Sequence, residues 1–553
     1  MTKFYAQYCK ENFSKDGVLS EFSVNCPADF NFSYDVVDAI AAEDPEREAL
    51  VWCDTEGNER RFTFDQMSKL SSRCANVLRQ DGIGKGDRVL IILKRHYEYW
   101  YVILALHKLG AVAIPATHML TEKDIVYRVN SASIKAVIST PTGEVAHFAA
   151  QAASACPTLT HKYIVREERD GFINLTQRIE AASEHFPRQQ ISVEDPMLLY
   201  FTSGTTGHPK AVVHDFAYPL AHIVTARHWQ NVVPGGLHLT VAETGWAKAA
   251  WGKLYGQWLC GSAVLAYDFD KFSPGDLLRI IQDYKVTTFC APPTIYRFFV
   301  KYGIDQYDLS ALTYCTNAGE ALSPEIYKQF HQATGIRLME GFGQTETTLL
   351  IFNPVNSREK VGSMGKPNPL YNVQLVNDAG EPVAPGEEGE IVVMQPPQGG
   401  KQYGMLSSYG DDAALSARVW RDGVYHTGDI AYQDDEGYFW YVSRGDDIIK
   451  SSGYRIGPFE IESVLLEHPS VLECAITGEP DPERGQVIKA TIVLCEGYEP
   501  SETLAKELQE FVKVSTAPYK YPRIVSFVSQ LPKTISGKIR RVEIRERSKK
   551  GAH

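Results

Sequence analysis

The sequence has no long uninterrupted hydrophobic run and no excess of positive charge. No stretch approaches the roughly 20 apolar residues of a membrane-spanning helix, and the N-terminus, MTKFYAQYCKENFSKDG, lacks the apolar core of a signal peptide. Acidic residues outnumber basic ones, 68 to 56, giving a formal net charge of -12, which argues against a general binder of nucleic acids or membrane surfaces. We therefore expect a soluble cytoplasmic enzyme or binding protein without a membrane span and without a nucleic-acid partner.

Paired cysteines are also missing. The ten cysteines are scattered singly between Cys9 and Cys495, with no CxxC pair, and several stand in apolar stretches such as TFCAPP and TIVLCEG. This pattern favours buried reduced thiols over a disulfide framework or a zinc site.

The chain is long enough for more than one domain. At 553 residues it exceeds what a single hydrophobic core usually serves. From about Arg61 to Arg444, short apolar runs such as DRVLIIL and KAVIST alternate with longer helical patterns such as YEYWYVILALHKLG. That alternation predicts an α/β fold of βα units with largely parallel sheets. From GEEGEIVV onward the predicted strands come closer together, which indicates a smaller β-rich subdomain.

The pattern changes at residues 443–447. The sequence then predicts a helix that opens on Pro458, strands in CAITG and KATIVLC, a helix from Ser501 to Val514 and a strand in IVSFV. This is a compact α+β unit of small-domain size. We therefore divide the chain into domains 1–445 and 446–553, and the acidic pair at 446–447 is either a hinge between them or a solvated turn.

The stretch LYFTSGTTGHPKAVV, residues 199–213, combines a strand with a loop rich in glycine and hydroxyl groups. Its spacing is not the GxxxxGK[ST] of a Walker A loop, which disfavours a P-loop NTPase. The backbone N–H groups of such a loop, together with a lysine, still suit phosphate oxygens; a flexible turn is the alternative. The candidate phosphate-binding residues are Thr202, Ser203, Gly204, Thr205, Thr206, Gly207 and Lys210.

This loop resembles the signature of the adenylate-forming superfamily, which includes acyl-CoA synthetases, peptide-synthetase adenylation domains and firefly luciferases. EGFGQTET at 340–347, YHTGDIAY at 425–432, SRGDDIIKSSGYRIGPFEIE at 443–462 and LPKTISGKIRR at 531–541 follow in the family's order. TVAETGWAKAAWGKLYGQW and APYKYPR are most similar to the medium-chain acyl-CoA synthetases. The resemblance implies a mobile C-terminal domain and a ligase that uses ATP to form an acyl adenylate and then an acyl-CoA, releasing pyrophosphate and AMP.

The resemblance also implies roles for single residues in a site for ATP and Mg²⁺. Lys538 matches the catalytic lysine that spans the carboxylate and the α-phosphate, Glu346 the magnesium-associated carboxylate, and Thr345 the hydroxyl that contacts the α-phosphate. Taken alone, Lys538 is one charge in a basic tail and Glu346 is typical of a helix N-terminus. Phe342 matches the ring that stacks on adenine, and Asp429 the acid that binds ribose. The other residues implied at the nucleotide are Gly319, Glu320, Ala321, Glu340, Gly341, Gly343, Gln344, Arg444 and Arg455.

For the transfer to CoA, the resemblance implies that the small domain rotates about Asp446. Ser452, Gly453 and Tyr454 match a loop that borders the pantetheine tunnel, where a glycine lets a narrow chain pass close to the backbone. Candidate contacts for the nucleotide end of CoA, each with an exposed charge or a tight turn as the alternative, are Arg484, Tyr521, Pro522 and Arg523.

Two residues bear on the choice of acid. Acetate-activating relatives carry a bulky aromatic residue at the position of Gly343, so a glycine there predicts room for a longer or wider acyl group. Trp246 is placed like the aromatic wall of the acyl pocket, and Trp251 and Trp258 either extend that wall or pack in the core. We expect chains of roughly four to ten carbons, branched short acids or benzoate-like acids before acetate, with about 0.8 kcal/mol gained per buried methylene.

Two other functional classes stay open. An adenylating enzyme that passes its acyl group to a carrier protein is disfavoured, since no carrier domain follows Arg541 and the SGYR glycine suits a CoA thiol. A non-catalytic sensor of nucleotide or acyl-CoA is disfavoured because Lys538, Glu346, Thr345 and Asp429 are all present.

Overall fold

The structure is a computed structural model. It describes residues 3–202, 209–396, 400–452, 454–533 and 538–551, and for residues 549–551 it describes the backbone alone. The strands are β1 Cys9–Phe13, β2 Leu19–Val24, β3 Glu48–Asp54, β4 Glu59–Thr63, β5 Arg88–Ile92, β6 Val112–Pro115, β7 Ala136–Ser139, β8 His161–Ile164, β9 Ile173–Asn174, β10 Pro196–Thr202, β11 Lys210–Asp215, β12 Leu237–Thr240, β13 Ala263–Asp268, β14 Thr288–Cys290, β15 Tyr314–Asn317, β16 Leu338–Gly343, β17 Leu349–Phe352, β18 Lys366–Pro367, β19 Asn372–Val376, β20 Glu388–Met394, β21 Trp420–Arg421, β22 Val424–Gln433, β23 Phe439–Arg444, β24 Ile449–Ser451, β25 Tyr454–Ile456, β26 Val471–Asp481, β27 Gly485–Leu494 and β28 Ile524–Phe527.

The helices begin where the sequence supplies caps. Thr63 and Gln66 form a capping box at the second helix, and Ser501 accepts a hydrogen bond from the Leu504 N–H at the fifteenth, which satisfies backbone donors that the first turn leaves unpaired. The helices are α1 Ala39–Glu43, α2 Phe64–Gln80, α3 Glu98–Leu109, α4 Glu122–Ser131, α5 Val145–Ala152, α6 Leu175–Glu180, α7 Tyr218–Ile223, α8 Ala247–Gly252, α9 Tyr255–Leu259, α10 Pro274–Asp283, α11 Pro293–Tyr302, α12 Pro324–Thr334, α13 Ala413–Val419, α14 Pro458–Glu467, α15 Glu502–Ser515 and α16 Arg541–Gly551.

Two large sheets form the N-terminal part. In the seven-stranded sheet the order is β11-β10-β6-β5-β7-β8-β9, and every neighbouring pair is parallel except β10 with β11. In the nine-stranded sheet, β18-β17-β16-β15-β14-β12-β13-β3-β4, the strands from β16 to β3 are parallel and the outer strands pair antiparallel. The predicted α/β fold with largely parallel sheets is confirmed.

Helix α3 illustrates how the core is built. All of its residues are buried, as a helix that is apolar on every side must be. Glu98 at its start is fully buried and is paired with Arg166 through two short bonds, 2.6 Å to Nε and 2.8 Å to Nη2. The bidentate geometry compensates the carboxylate for its loss of water.

The predicted β-rich subdomain is a five-stranded antiparallel sheet, with β19-β20-β22-β21 in order and β23 pairing with β22. After it, β24 to β28 form a second small sheet in which β28 runs parallel to β27, packed with α14, α15 and α16. Ile461 and Leu465 of α14 are fully buried in its core, as their spacing predicts. The α+β class of this C-terminal unit is confirmed, while the division at residues 445 and 446 stays a prediction.

All ten cysteines are free thiols, and eight of them are buried; Cys26 and Cys495 are half-buried. Among the residues that the structure describes, none of the helices has both the length and the apolar character that crossing a bilayer requires.

Candidate active site

The predicted phosphate loop begins where β10 ends. Thr202 closes β10 and pairs in register with Lys210, the first residue of β11, so this antiparallel pair fixes both ends of the loop. The ammonium of Lys210 lies 5.8 Å from the centre of the Tyr409 ring, a residue that the sequence analysis did not single out. The remaining predicted loop residues, Ser203, Gly204, Thr205, Thr206 and Gly207, lie outside the described residues.

Glu346 contacts the same tyrosine. The Tyr409 hydroxyl donates to Oε1 of Glu346 over 2.8 Å, and the Leu406 N–H donates to the Glu346 carbonyl oxygen over 2.7 Å. Burial raises the pKa of Tyr409, and the negative charge of Glu346 raises it further. One cation and one carboxylate, Lys210 and Glu346, are therefore held around a single aromatic ring at the predicted phosphate site.

A buried histidine fixes the backbone of Thr345. Nε2 of His214, on β11, lies 2.7 Å from the Thr345 carbonyl oxygen, so this nitrogen carries the proton and donates. Burial lowers the pKa of His214 to about 4, which keeps the imidazole neutral at pH 7. Strand β11 thus connects the end of the phosphate loop to the Thr345–Glu346 pair.

Glu346 is the carboxylate that the sequence predicts for a magnesium ion bound to a nucleotide. Within the described ranges, no three His, Cys, Asp or Glu side chains come together as an all-protein metal site. Magnesium binds through one or two carboxylates and takes its other ligands from phosphates and water. A single carboxylate oriented by Tyr409 fits that mode of binding.

Asp429, on β22, is the centre of a buried polar cluster. Its Oδ2 accepts from Nε2 of Gln344 over 2.6 Å and from Nη1 of Arg444 over 3.1 Å, and the Tyr441 hydroxyl lies 3.4 Å from Oδ1. Burial raises the pKa of the carboxyl, and the charges of Arg444 and Lys538 oppose that rise. Gln344 is itself held by the Tyr425 hydroxyl over 2.8 Å. Three residues predicted from separate motifs, Gln344, Asp429 and Arg444, are thus in direct contact.

Phe342, the predicted adenine-stacking ring, lies beside this cluster. Its centroid is 6.5 Å from that of Tyr441, which contacts Asp429. The backbone of Gly341 approaches Trp229 so closely that a β-carbon would stand 2.7 Å from the indole. Glu340 is buried, its Oε2 has no hydrogen-bond partner in the described part of the chain, and burial raises the pKa of its carboxyl to about 8.

The segment 319–321 follows β15, the strand that pairs with β16. Gly319 has φ +103, a conformation that side chains disfavour, and Glu320 is exposed with Oε2 3.4 Å from the Thr294 hydroxyl. The Lys248 ammonium, on α8, donates to the Ala318 carbonyl oxygen. Lys248 is a cation of this region that the sequence analysis missed, because one lysine in an apolar helix carries no pattern.

Lys538, in the C-terminal unit, acts on this region through its charge. Its charge helps to counter the burial that raises the pKa of Asp429. Burial lowers the pKa of Lys248, and the charge of Lys538 lowers it further. The charge of Lys538 therefore acts on both residues.

The predicted acyl-pocket residues lie around α8. Trp246 precedes α8 and is half-buried. A β-carbon on Gly343 would stand 2.5 Å from Cη2 of Trp251 and 2.4 Å from the Thr348 carbonyl oxygen, so the indole of Trp251 occupies the space beside Gly343. Trp258, on α9, is fully buried and donates to the Ala49 carbonyl oxygen over 2.9 Å, which makes it a core residue.

Ion pairs fix both sides of the predicted hinge. Nε of Arg444 lies 3.6 Å from Oδ1 of Asp446, which links Asp446 to the Asp429 cluster. Oδ1 of Asp447 accepts from Arg545 over 2.8 Å, and its Oδ2 lies 3.7 Å from Arg541. Arg444, two residues before Asp446, is thus anchored to the large domain, and Asp447, the residue after it, is anchored to α16.

The predicted CoA residues of the C-terminal unit make separate local contacts. The Ser452 N–H donates to the Arg484 carbonyl oxygen over 3.0 Å. The ring of Tyr454 stacks on that of Tyr519 at 4.1 Å, and both rings are exposed. In the segment 521–523, Pro522 is buried and the guanidinium of Arg523 lies 5.0 Å from the Tyr521 ring. Gly453 lies outside the described residues.

Arg455 is placed elsewhere. Its guanidinium lies 3.6 Å from the exposed Asp378 of the β-rich subdomain, and its charge acts on Glu388, whose pKa is raised by burial. The structure therefore does not bring Arg455 into the Asp429 cluster.

Comparison with known proteins agrees with this geometry. A family model described as AMP-binding enzyme matches residues 37–403, and one for the C-terminal domain of AMP-binding enzymes matches residues 460–538. The chain is 39% identical to mouse (Mus musculus) mitochondrial acyl-coenzyme A synthetase ACSM3, with 99% of this chain and 95% of the relative covered. It is 40% identical to the mitochondrial synthetase ACSM4 of Rattus norvegicus, with 94% and 91% covered.

Solved structures agree as well. The anthranilate CoA ligase AuaEII, in complex with anthranoyl-AMP, is 28% identical with a TM-score of 0.88, and the match covers 95% of this chain and 99% of that one. A benzoate CoA ligase from Burkholderia xenovorans is 25% identical with a TM-score of 0.82, covering 93% and 100%. The chain belongs to the family of AMP-binding enzymes, which confirms the superfamily that the motifs indicate.

Proposed function

We propose that the protein is an AMP-forming acyl-CoA synthetase, which joins a carboxylic acid to AMP and then transfers the acyl group to CoA. The observation that carries this proposal is the contact of the buried Asp429 carboxylate with Gln344 and Arg444. The charge of Lys538 acts on that carboxyl, and Glu346, two residues after Gln344, contacts Tyr409. The names of the full-length relatives, which are acyl-coenzyme A synthetases, support the same reaction.

In the first half-reaction a carboxylate oxygen attacks the α-phosphorus of ATP, and the bond to pyrophosphate breaks. Lys538 would hold the two anionic reactants together and neutralise charge as it develops. The Thr345 hydroxyl would contact the α-phosphate, while Lys210 and the loop at 202–207 would hold the departing pyrophosphate.

The nucleoside would be held by the buried cluster. The two oxygens of Asp429 can accept both ribose hydroxyls, with Arg444 beside them, and Phe342 would stack on adenine. The segments 319–321 and 340–344 would line the base. Glu346 would hold the magnesium ion that accompanies ATP, and such an ion supplies positive charge against the phosphates.

In the second half-reaction the sulfur of CoA attacks the acyl carbon, AMP leaves with the bonding electrons, and the thiol proton passes to solvent. Lys538 is not needed for this step. Rotation about Asp446 would replace it with the face that carries Ser452, Gly453 and Tyr454, while Arg484 and residues 521–523 would contact the nucleotide of CoA. The contact of Arg455 with Asp378 would open in that rotation and free Arg455 for phosphate.

The acid is proposed to be of medium length, branched and short, or aromatic. Gly343 and Trp246 border the proposed pocket, and the indole of Trp251 beside Gly343 provides an apolar wall. Two structural relatives are named as CoA ligases for anthranilate and for benzoate, which supports an aromatic acid as the substrate. Location in the cytoplasm stays a prediction, since the names of the relatives carry the word mitochondrial.

Purified protein given ATP, Mg²⁺, CoA and a panel of acids tests the proposal. We expect release of pyrophosphate and AMP and consumption of free thiol, with hexanoate, octanoate, isobutyrate or benzoate preferred to acetate. Formation of ADP, or turnover indifferent to CoA, would overturn it. Turnover with a phosphopantetheinyl carrier protein in place of CoA would favour the carrier alternative, and binding of ATP without turnover would favour the sensor.

A further inference from the structure

Glu473, on β26 of the C-terminal unit, contacts one cation from each domain. Its Oε1 lies 2.7 Å from the ammonium of Lys533 and 3.7 Å from Nη2 of Arg297. Lys533 belongs to the C-terminal unit and Arg297 to α11 of the large domain. We propose that Glu473 is a positioning residue for adenylation, which locks the base of the Lys538 segment against the large domain.

Arg297 is the cation that the large domain supplies to Glu473. It is only 8% exposed, and its Nε has no hydrogen-bond partner among the described residues. A buried guanidinium is costly unless a carboxylate compensates it, and Glu473 supplies that charge. One turn along α11, the Lys301 ammonium lies 3.4 Å from Sγ of Cys495, so the same face of the helix contacts the C-terminal unit twice.

Lys533 is the cation that the C-terminal unit supplies to Glu473. It forms an antiparallel bridge with Ile539, and the Arg540 N–H donates to the Pro532 carbonyl oxygen over 2.8 Å. These bonds bring together the two ends of the segment that carries Lys538. The segment cannot shift at its base without disturbing the contact between Lys533 and Glu473.

An apolar cluster packs both ends of the Lys538 segment against the sheet of the C-terminal unit. Leu531 and Ile544 are buried against Ala475 of β26 and Val493 of β27, with Ile539 packed at the edge. Ala475 is two residues from Glu473, so the ion pair and the apolar cluster hold the segment to one strand. Ile539, the neighbour of Lys538, therefore packs on the cluster that includes β26, and Glu473 connects β26 to Arg297.

Loss of this contact should affect the two half-reactions differently, and this expectation rests on the proposed function. Adenylation needs Lys538 between the two reactants, whereas thioester formation does not, and rotation about Asp446 would separate Glu473 from Arg297. Loss of the Glu473 charge should therefore slow the first half-reaction and spare the second. A purely structural role would slow both.

The test measures the two half-reactions separately on the full-length enzyme. For Glu473→Gln we expect ATP–pyrophosphate exchange to fall about 10- to 100-fold, the scale of a small misplacement of a catalytic group, with thioester formation from synthetic acyl adenylate and CoA unchanged. Glu510→Gln is the matched control, because Glu510 pairs with Lys513 on the surface of α15, and it should leave both steps unchanged. Equal loss of both half-reactions, or no loss of exchange, in Glu473→Gln would overturn the proposal.

A double-mutant cycle tests the partner. Arg297→Gln alone should also slow exchange, and the double variant Arg297→Gln, Glu473→Gln should be no slower than the worse single variant, since both remove one contact. Additive losses would overturn the assignment to Arg297. Wild-type enzyme that fails to catalyse exchange would instead refute the proposed function itself, so the two failures are distinguishable.

Discussion

The indole of Trp251 occupies the space beside the α-carbon of Gly343. A β-carbon at position 343 would stand 2.5 Å from Cη2 of that indole. The room that a glycine leaves at this position is thus taken by a tryptophan from α8, and the shape of the proposed acyl pocket depends on both residues.

Trp251→Leu should shift the preference of the enzyme toward longer acids. Removing the indole extends the space beyond Gly343, and each further buried methylene contributes about 0.8 kcal/mol. The measurement is kcat/KM over a series of linear acids. Trp420→Leu, in the β-rich subdomain, is the control, and an unchanged preference in Trp251→Leu would mean that this indole does not border the acyl chain.

Gly343→Ala should destabilise the protein by roughly 1–3 kcal/mol. The added methyl group meets the Thr348 carbonyl oxygen at 2.4 Å, and a backbone atom cannot move aside as a flexible side chain would. Thermal unfolding measures the effect against Gly84→Ala, where nothing lies within 4 Å of the new β-carbon. Equal melting temperatures for the two variants would contradict the close approach.

Lys538→Ala should reduce adenylation about 10²- to 10³-fold, the usual loss when one preorganised charge partner is removed. Thioester formation from a synthetic acyl adenylate should be retained. ATP–pyrophosphate exchange and single-turnover thioester formation measure the two steps, with Lys506→Ala on α15 as the control. If both steps fell equally, the division of labour between the two half-reactions would be wrong.

Asp429→Asn should weaken nucleotide binding more than it slows turnover at saturating ATP. An amide offers one acceptor oxygen where a carboxylate offers two, so it is less suited to both ribose hydroxyls, and it leaves Arg444 without the charge that lies 3.1 Å away. The expected result is a higher KM for ATP with an unchanged KM for CoA. A rise in the KM for CoA alone would remove Asp429 from the ribose site.

Glu340→Gln should stabilise the protein at alkaline pH. Burial raises the folded-state pKa of Glu340 to about 8 from 4.5, so between these values the folded state holds a proton that the unfolded state has lost. Stability from this group is therefore full below pH 4.5 and falls as the pH rises toward 8, with about 1.4 kcal/mol lost per unit. The amide does not titrate, so the melting temperature of the variant should exceed that of wild type more at pH 8 than at pH 5.

Much of the fold and part of the site can be predicted from the sequence. Strands and helices follow from periodicity and caps, and motifs far apart in the chain supply Gln344, Asp429 and Arg444, which the structure joins. Tyr409 could not be predicted, because a single tyrosine in SSYGDD carries no pattern and its contact with Glu346 spans 63 residues. The partner of Arg455 could not be predicted either, since it depends on how the two domains are oriented.

The ion pairs beside the hinge have a mechanical consequence. Arg444 is tied to Asp429 on one side, and Asp447 is tied to Arg545 on the other. In the proposed rotation, a swing that keeps both anchors would be absorbed by the backbone between Arg444 and Asp447, and it would break the hydrogen bond from the Asp447 N–H to the Arg444 carbonyl oxygen. Because only two residues separate these anchors, the proposed rotation would turn the C-terminal domain beside the nucleotide rather than carry it away.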